Sequence, residues 1–246
     1  MSLYGRPKTG KTRLAVSFPK PLLIIGSEDG TASVIGAKGV DFVQLERVDE
    51  FTEILEGPLK SGKYATAVLD NGTKLRDMKI AEIMGLDSVD KHWGAVTRDI
   101  YTECANYLKR LLRPILDMGR KRSLNVVIIA QEQNFKEEAG DSSELINPNI
   151  GPALGKALSD YVNAECDYIG QTLIRERYVK KEVTIPGPKG TKKIVVQEQP
   201  TGKNEYCLRV SPDGVYQAGF RMPLGKELKE DFLVNPTYER IMGLLK

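Results

Sequence analysis

An α/β fold with a mainly parallel central sheet flanked by helices is predicted by three features of the sequence. Three apolar runs end abruptly at a glycine or polar residue, as strands buried on both faces do. Segments with helical periodicity lie between them. A G-x-x-x-x-G-K-[ST] pattern fills residues 5–12, where a strand should hand over to a helix.

In chain order, the first strand is short, ending at Leu3-Tyr4 before Gly5. A helix then starts near Lys11 and runs through Leu14, Ala15 and Val16. Pro21-Leu22-Leu23-Ile24-Ile25, ending at Gly26, is the next strand. Tyr64-Ala65-Thr66-Ala67-Val68-Leu69, ending at Asp70, and Leu124-Asn125-Val126-Val127-Ile128-Ile129-Ala130, ending at Gln131, are two more. Helices are expected over residues 50–55, 73–84 and 96–118, the last with apolar residues at 96, 100, 104, 108, 111 and 115 and with Pro114 kinking or shortening it. Residues 168–173, 178–185, 193–197 and 206–210 read as strands of hairpins that extend the sheet. Residues 235–245 read as a terminal helix entered through Pro236. The expected organisation is a core over residues 1–170. Residues 171–246, a β-hairpin extension and a C-terminal helix, complete the same domain.

The composition fits this and excludes other classes. The chain has 246 residues, 41% hydrophobic and 28% charged, enough to bury a sizeable core. With 36 Lys and Arg against 33 Asp and Glu, the net charge of +3 does not by itself advertise a nucleic-acid partner. Cys104, Cys166 and Cys207 are odd in number, with no CxxC pair, which argues against a disulfide framework or a thiolate zinc site. His92 is the one histidine, so multi-histidine metal chemistry is excluded. No run approaches the roughly 18 apolar residues of a membrane span, and the N-terminus lacks a signal-peptide core. A cytoplasmic protein without a membrane partner is expected.

The motif at residues 5–12 has a physical reason at each fixed position. Gly5 and Gly10 allow the tight backbone path that turns successive N–H groups, through Arg6, Pro7, Lys8 and Thr9, toward phosphate oxygens. Lys11 reaches the β and γ phosphates, and the Thr12 hydroxyl ligates Mg2+. Arg13 follows in the first helical turn. In a parallel sheet, ligands lie at the C-terminal strand ends, so the polar residues there are candidates for chemistry. Asp70 would hold Mg2+ with Thr12, or else start the turn Asp70-Asn71-Gly72. Glu28, with Asp29 as the alternative, would activate the attacking water. Gln131 would sense the γ-phosphate and relay its presence.

Together these residues resemble the RecA-like branch of P-loop ATPases, and more closely its phage-borne members, the Sak-type recombinases and related phage AAA-domain ATPases. The resemblance rests on residues 5–12, on Ser27-Glu28-Asp29-Gly30, Ala67-Val68-Leu69-Asp70 and Ile128-Ile129-Ala130-Gln131. His92-Trp93-Gly94-Ala95-Val96-Thr97, Gly151-Pro152-Ala153-Leu154-Gly155-Lys156 and Cys166-Asp167-Tyr168-Ile169-Gly170 add to it. It covers roughly residues 3–170 and implies a RecA-like core that binds ATP and Mg2+. It also implies hydrolysis coupled to binding and pairing single-stranded DNA in recombination, a homo-oligomer (ring or filament), and a single-strand-binding protein as a possible partner. Arg221 resembles the basic residue that relatives place near the end of the core, which can reach a neighbouring subunit's γ-phosphate; an ordinary surface arginine is the alternative. A phage origin would put the protein in host cytoplasm.

Some residues depart from that pattern. Lys8 stands where many relatives carry Gly. Residues 132–150 carry Glu132, Glu137, Glu138, Asp141 and Glu144 against Lys136, which should repel DNA phosphate. Phe135 suits packing more than base stacking. Lys91, His92 and Trp93 could meet DNA, although Trp93 is equally suited to a core. Basic residues concentrate later, at Arg175, Arg177, Lys180, Lys181, Lys189, Lys192, Lys193, Lys203 and Arg209, either as a DNA footprint or as ordinary lysine decoration. The alternatives are a helicase or packaging motor, a nucleotide-gated DNA scaffold with little turnover, and, more weakly, a small-molecule kinase. No N-K-x-D motif for guanine is present, which favours ATP over GTP.

Overall fold

Strands buried on both faces need helices on both sides of the sheet, and the computed structural model has this arrangement. It describes residues 1–27, 36–87, 95–121, 123–135, 150–186 and 192–245. The elements are β1 (Ser2–Gly5), α1 (Lys11–Val16), β2 (Leu22–Gly26), β3 (Val40–Gln44), α2 (Glu50–Ile54), β4 (Thr66–Asp70), α3 (Gly72–Ile83) and α4 (Arg98–Arg120). They continue as β5 (Asn125–Asn134), β6 (Ile150–Pro152), α5 (Lys156–Glu165), β7 (Tyr168–Pro186), β8 (Lys192–Arg209), β9 (Gly219–Phe220), β10 (Phe232–Val234) and α6 (Tyr238–Leu244). A π-helical turn, Leu55–Leu59, extends α2.

The sheet order is β10-β8-β7-β1-β5-β4-β2-β3, parallel from β7 through β3. β8 and β10 add antiparallel strands at one edge. Successive residues of each central strand serve opposite cores, which is why the sequence runs are continuously apolar. Leu23, Ile25, Leu69 and Ile128 pack with Phe51, Leu75, Leu108 and Leu158 on one face. Leu22, Ile24, Val68, Val127 and Ile129 pack with Leu14, Phe18 and Ile241 on the other.

Two expectations are corrected. Pro114 does not shorten its helix: α4 runs 23 residues from an N-cap at Thr97, whose hydroxyl accepts from Ile100 N. Cys104, Leu108, Leu111, Leu112, Ile115 and Leu116 anchor the inner face, while Pro114 and Arg110 lie on the exposed face, where water can satisfy the carbonyl that proline leaves unpaired. The four strands expected after residue 167 are two long ones, β7 of 19 residues and β8 of 18, paired from Gln171↔Arg209 to Pro186↔Lys192. A bulge at Glu176/Tyr178 absorbs the polar interruption. There Thr201 Oγ1 donates to Arg177 O, and Gly202 N, at φ 68, donates to Glu176 Oε1. β7 is also the parallel neighbour of β1, so residue 170 falls inside a strand of the central sheet.

Candidate nucleotide-binding site

The loop between β1 and α1 is held in a shape few residues tolerate. Gly5 has φ 154, and a Cβ there would stand 2.4 Å from Thr172 O and 2.5 Å from its Oγ1. Gly10 caps α1 at φ 88. Lys8, at φ 65, takes the left-handed conformation that glycine adopts without penalty. Thr9 Oγ1 donates to Arg6 O at 2.8 Å and lies 2.6 Å from Thr172 Oγ1, tying the loop to β7. Gly5→Ala is expected to cost about 2–4 kcal/mol of stability, from steric overlap and backbone strain together, and to abolish nucleotide binding. Denaturant unfolding and nucleotide titration of the variant measure both effects.

Lys11, Thr12 and Asp70 converge beside this loop. The Lys11 ammonium donates to the carbonyls of Gly5 and Arg6, each at 2.8 Å. Thr12 Oγ1 donates to Asp70 Oδ2 at 2.6 Å. Asp70 is placed by α3, whose N-cap Asn71 accepts from Lys74 N, and by Ser27, which bonds both backbone groups of Asn71. Burial pushes the Asp70 carboxyl above the ordinary range, opposed by the Thr12 hydrogen bond and the Lys11 charge. A buried carboxylate against a threonine hydroxyl, with a lysine nearby, is the donor set that suits a Mg2+ bound to phosphates.

Gln131 lies in register with Gly5 but inside β5 rather than at its tip, since β5 runs on to Asn134; its N–H donates to Thr73 Oγ1 at 3.0 Å, which ties β5 to the first turn of α3. Arg6, Pro7, Lys8 and Arg13 are exposed. Glu28 and Asp29 lie outside the described residues, as do Lys91, His92, Trp93, the stretch 136–149 and Lys189. Arg221 is not at this site. It pairs with Asp167 at 2.6 Å beside the start of β7, at the opposite end of the sheet.

β5 extends to Asn134, so Glu132 is a strand residue rather than a loop acid. Its carboxylate accepts from Gln171 Nε2 at 2.7 Å and from Arg6 Nε at 3.4 Å. Gln171 accepts in turn from Arg209, which also pairs with Asp213 at 2.6 Å. Arg175 pairs with Glu205 at 2.8 Å. These two arginines are therefore engaged, whereas Arg177, Lys180, Lys181 and Lys203 are exposed along the β7–β8 arm. Sequence reasoning read Glu132 as a loop acid and missed its contacts, and it missed Gln171 and Thr172. Their roles arise from the pairing of β1 with β7, which leaves no local pattern.

The family model described as an AAA domain matches residues 1–221 of the chain. No curated protein matches it.

Proposed function

The chain belongs to the AAA-domain family of P-loop ATPases, and from that membership we propose that it is an ATP-dependent single-stranded-DNA-binding protein of the Sak-type, phage recombination kind. The nucleotide part of this reading is carried by the 2.6 Å contact of Thr12 with Asp70 beside Lys11. The DNA part is supported by the exposed Arg177, Lys180, Lys181 and Lys203, which line a two-stranded arm far longer than the sheet needs.

In this reading, the Lys11 ammonium leaves its two carbonyls for the β and γ phosphate oxygens and stabilises charge that grows there in the transition state. Thr12 and Asp70 would hold Mg2+, which supplies charge neutralisation across those phosphates when bound. Glu28 accepts a proton from the water that attacks the γ-phosphorus. The bond to the β–γ bridging oxygen breaks, leaving ADP and inorganic phosphate. Gln131 hydrogen-bonds the γ-phosphate, and β5 carries its presence toward Glu132. Arg221, remote from the phosphate loop of its own chain, serves a neighbouring subunit in a homo-oligomer. A single-strand-binding protein would deliver or clear the DNA.

The test is ATP hydrolysis with and without single-stranded and double-stranded DNA, at low and higher salt. Single strands are expected to raise the rate several-fold. The stimulation should fade as salt displaces cation–phosphate contacts. Hydrolysis indifferent to DNA overturns the recombination reading and leaves the ATPase in place.

A further inference from the structure

We propose that Tyr206 of β8, with Ile174 of β7, is the platform on which the base of the bound nucleotide stacks. The proposal rests on the ATP-binding reading above and extends it to the nucleoside.

The direction of the ligand is set by the site. Lys11, Thr12 and Asp70 mark the γ-phosphate end, on the β4 and β5 side of β1. The other flank of β1 is β7, which touches the loop through Thr172 and Thr9. A phosphate chain that begins at Asp70 and follows the loop therefore delivers its nucleoside toward β7 and β8.

Ile174 and Tyr206 stand there, opposite each other across the β7–β8 ladder. The Tyr206 ring lies against the second glycine of the motif: its Cδ1 is 3.3 Å from the position a Cβ on Gly10 would take. Further along the same face, Thr172 and Leu208 are buried, yet Ile174 is 40% and Tyr206 38% exposed. A half-exposed aromatic ring beside an aliphatic side chain, at the edge of a phosphate loop, offers the flat apolar surface that a nucleobase π-face needs. The platform is also fixed in place. The Tyr206 carbonyl accepts from Asn235 N at 2.7 Å, and β8 is paired on both sides, with β7 and with β10. Stacking therefore costs little reorganisation.

Calorimetric titration of the full chain with ADP and with base-free tripolyphosphate, both with Mg2+, separates the base from the phosphates. Tyr206→Ala is expected to weaken ADP binding by about tenfold, as loss of a base–aromatic stack does. Tripolyphosphate affinity should stay within about twofold, which also shows that the loop is folded, and Tyr206→Phe should recover most of the ADP affinity. An ADP affinity untouched by Tyr206→Ala overturns the proposal, including the case in which a thymidine oligonucleotide is weakened instead. Equal loss of tripolyphosphate overturns it too, since the ring would then merely pack the loop. Wild-type protein that binds tripolyphosphate as tightly as ADP sinks the base platform alone. Wild-type protein that binds neither removes the ATP-binding reading and the platform with it.

Discussion

Lys11→Ala is expected to abolish ATP hydrolysis, lowering the rate by at least about 100-fold, the scale on which one preorganised charge contributes to a transition state. The side chain is already at the site, and its ammonium satisfies the carbonyls of Gly5 and Arg6 at 2.8 Å. Phosphate oxygens would replace those two acceptors with stronger, charged ones, so little reorganisation separates the resting and working positions. Lys11→Arg is expected not to rescue, because the planar guanidinium cannot place a compact point charge inside the turn. Stability should fall by no more than about 1 kcal/mol in Lys11→Ala, since the two carbonyls sit at a half-open loop that water can reach. Phosphate release measured beside thermal unfolding tests both halves. A variant that unfolds normally and still hydrolyses ATP at the wild-type rate removes Lys11 from the chemistry.

The parts of the site readable in the sequence are those whose physics is local. A buried parallel strand must be apolar at every position, so β2, β4 and the inner part of β5 announce themselves and point to Asp70 and Gln131 at their ends. The phosphate loop is local as well, since its glycines answer to backbone conformations within eight residues. What was hidden depends on pairing over long separations. Thr172 meets Thr9 from 163 residues away and Glu132 meets Arg6 from 126, and neither contact leaves a periodicity. The hairpins were hidden for a different reason. Over residues 174–182 of β7 both faces meet water, so charged residues sit within a continuous ladder and look like breaks between strands. The shortening expected at Pro114 failed because the rule that proline cuts a helix short assumes that the freed carbonyl has no other partner. The strong inner face of α4 and the solvent outside it remove that assumption.

Asp70→Asn is expected to separate stability from function. The Asp70 carboxyl is raised above its ordinary value, with burial as the largest cause and the Thr12 hydrogen bond and Lys11 charge opposing it. A carboxyl whose folded-state value lies above its unfolded one contributes stability that is complete below the unfolded value, about 3.9, and is lost as pH rises through the folded value. At neutral pH the ionised group therefore works against the nucleotide-free fold. The amide is nearly isosteric, accepts the same Thr12 hydrogen bond and carries no charge to desolvate. Without nucleotide, Asp70→Asn should melt no lower than wild type at pH 7, and any advantage should shrink as the pH falls below the raised value of Asp70 and vanish below about 3.9. With Mg2+ and ATP the order should reverse. Ligand at about 100 times its dissociation constant stabilises wild type by about 2.7 kcal/mol. The variant should lose the Mg2+-dependent part of that gain and hydrolyse about 100-fold more slowly. Melting curves at pH 4.5 and 7, with and without Mg2+ and ATP, test the whole chain of reasoning. An Asp70→Asn protein clearly less stable than wild type at pH 7 without ligand would show that the Thr12 bond to the carboxylate outweighs burial. An undiminished Mg2+ effect would place the metal elsewhere. The outcome expected here is that Asp70 is retained against the stability of the empty protein, because only its charge can hold a cation against the phosphates.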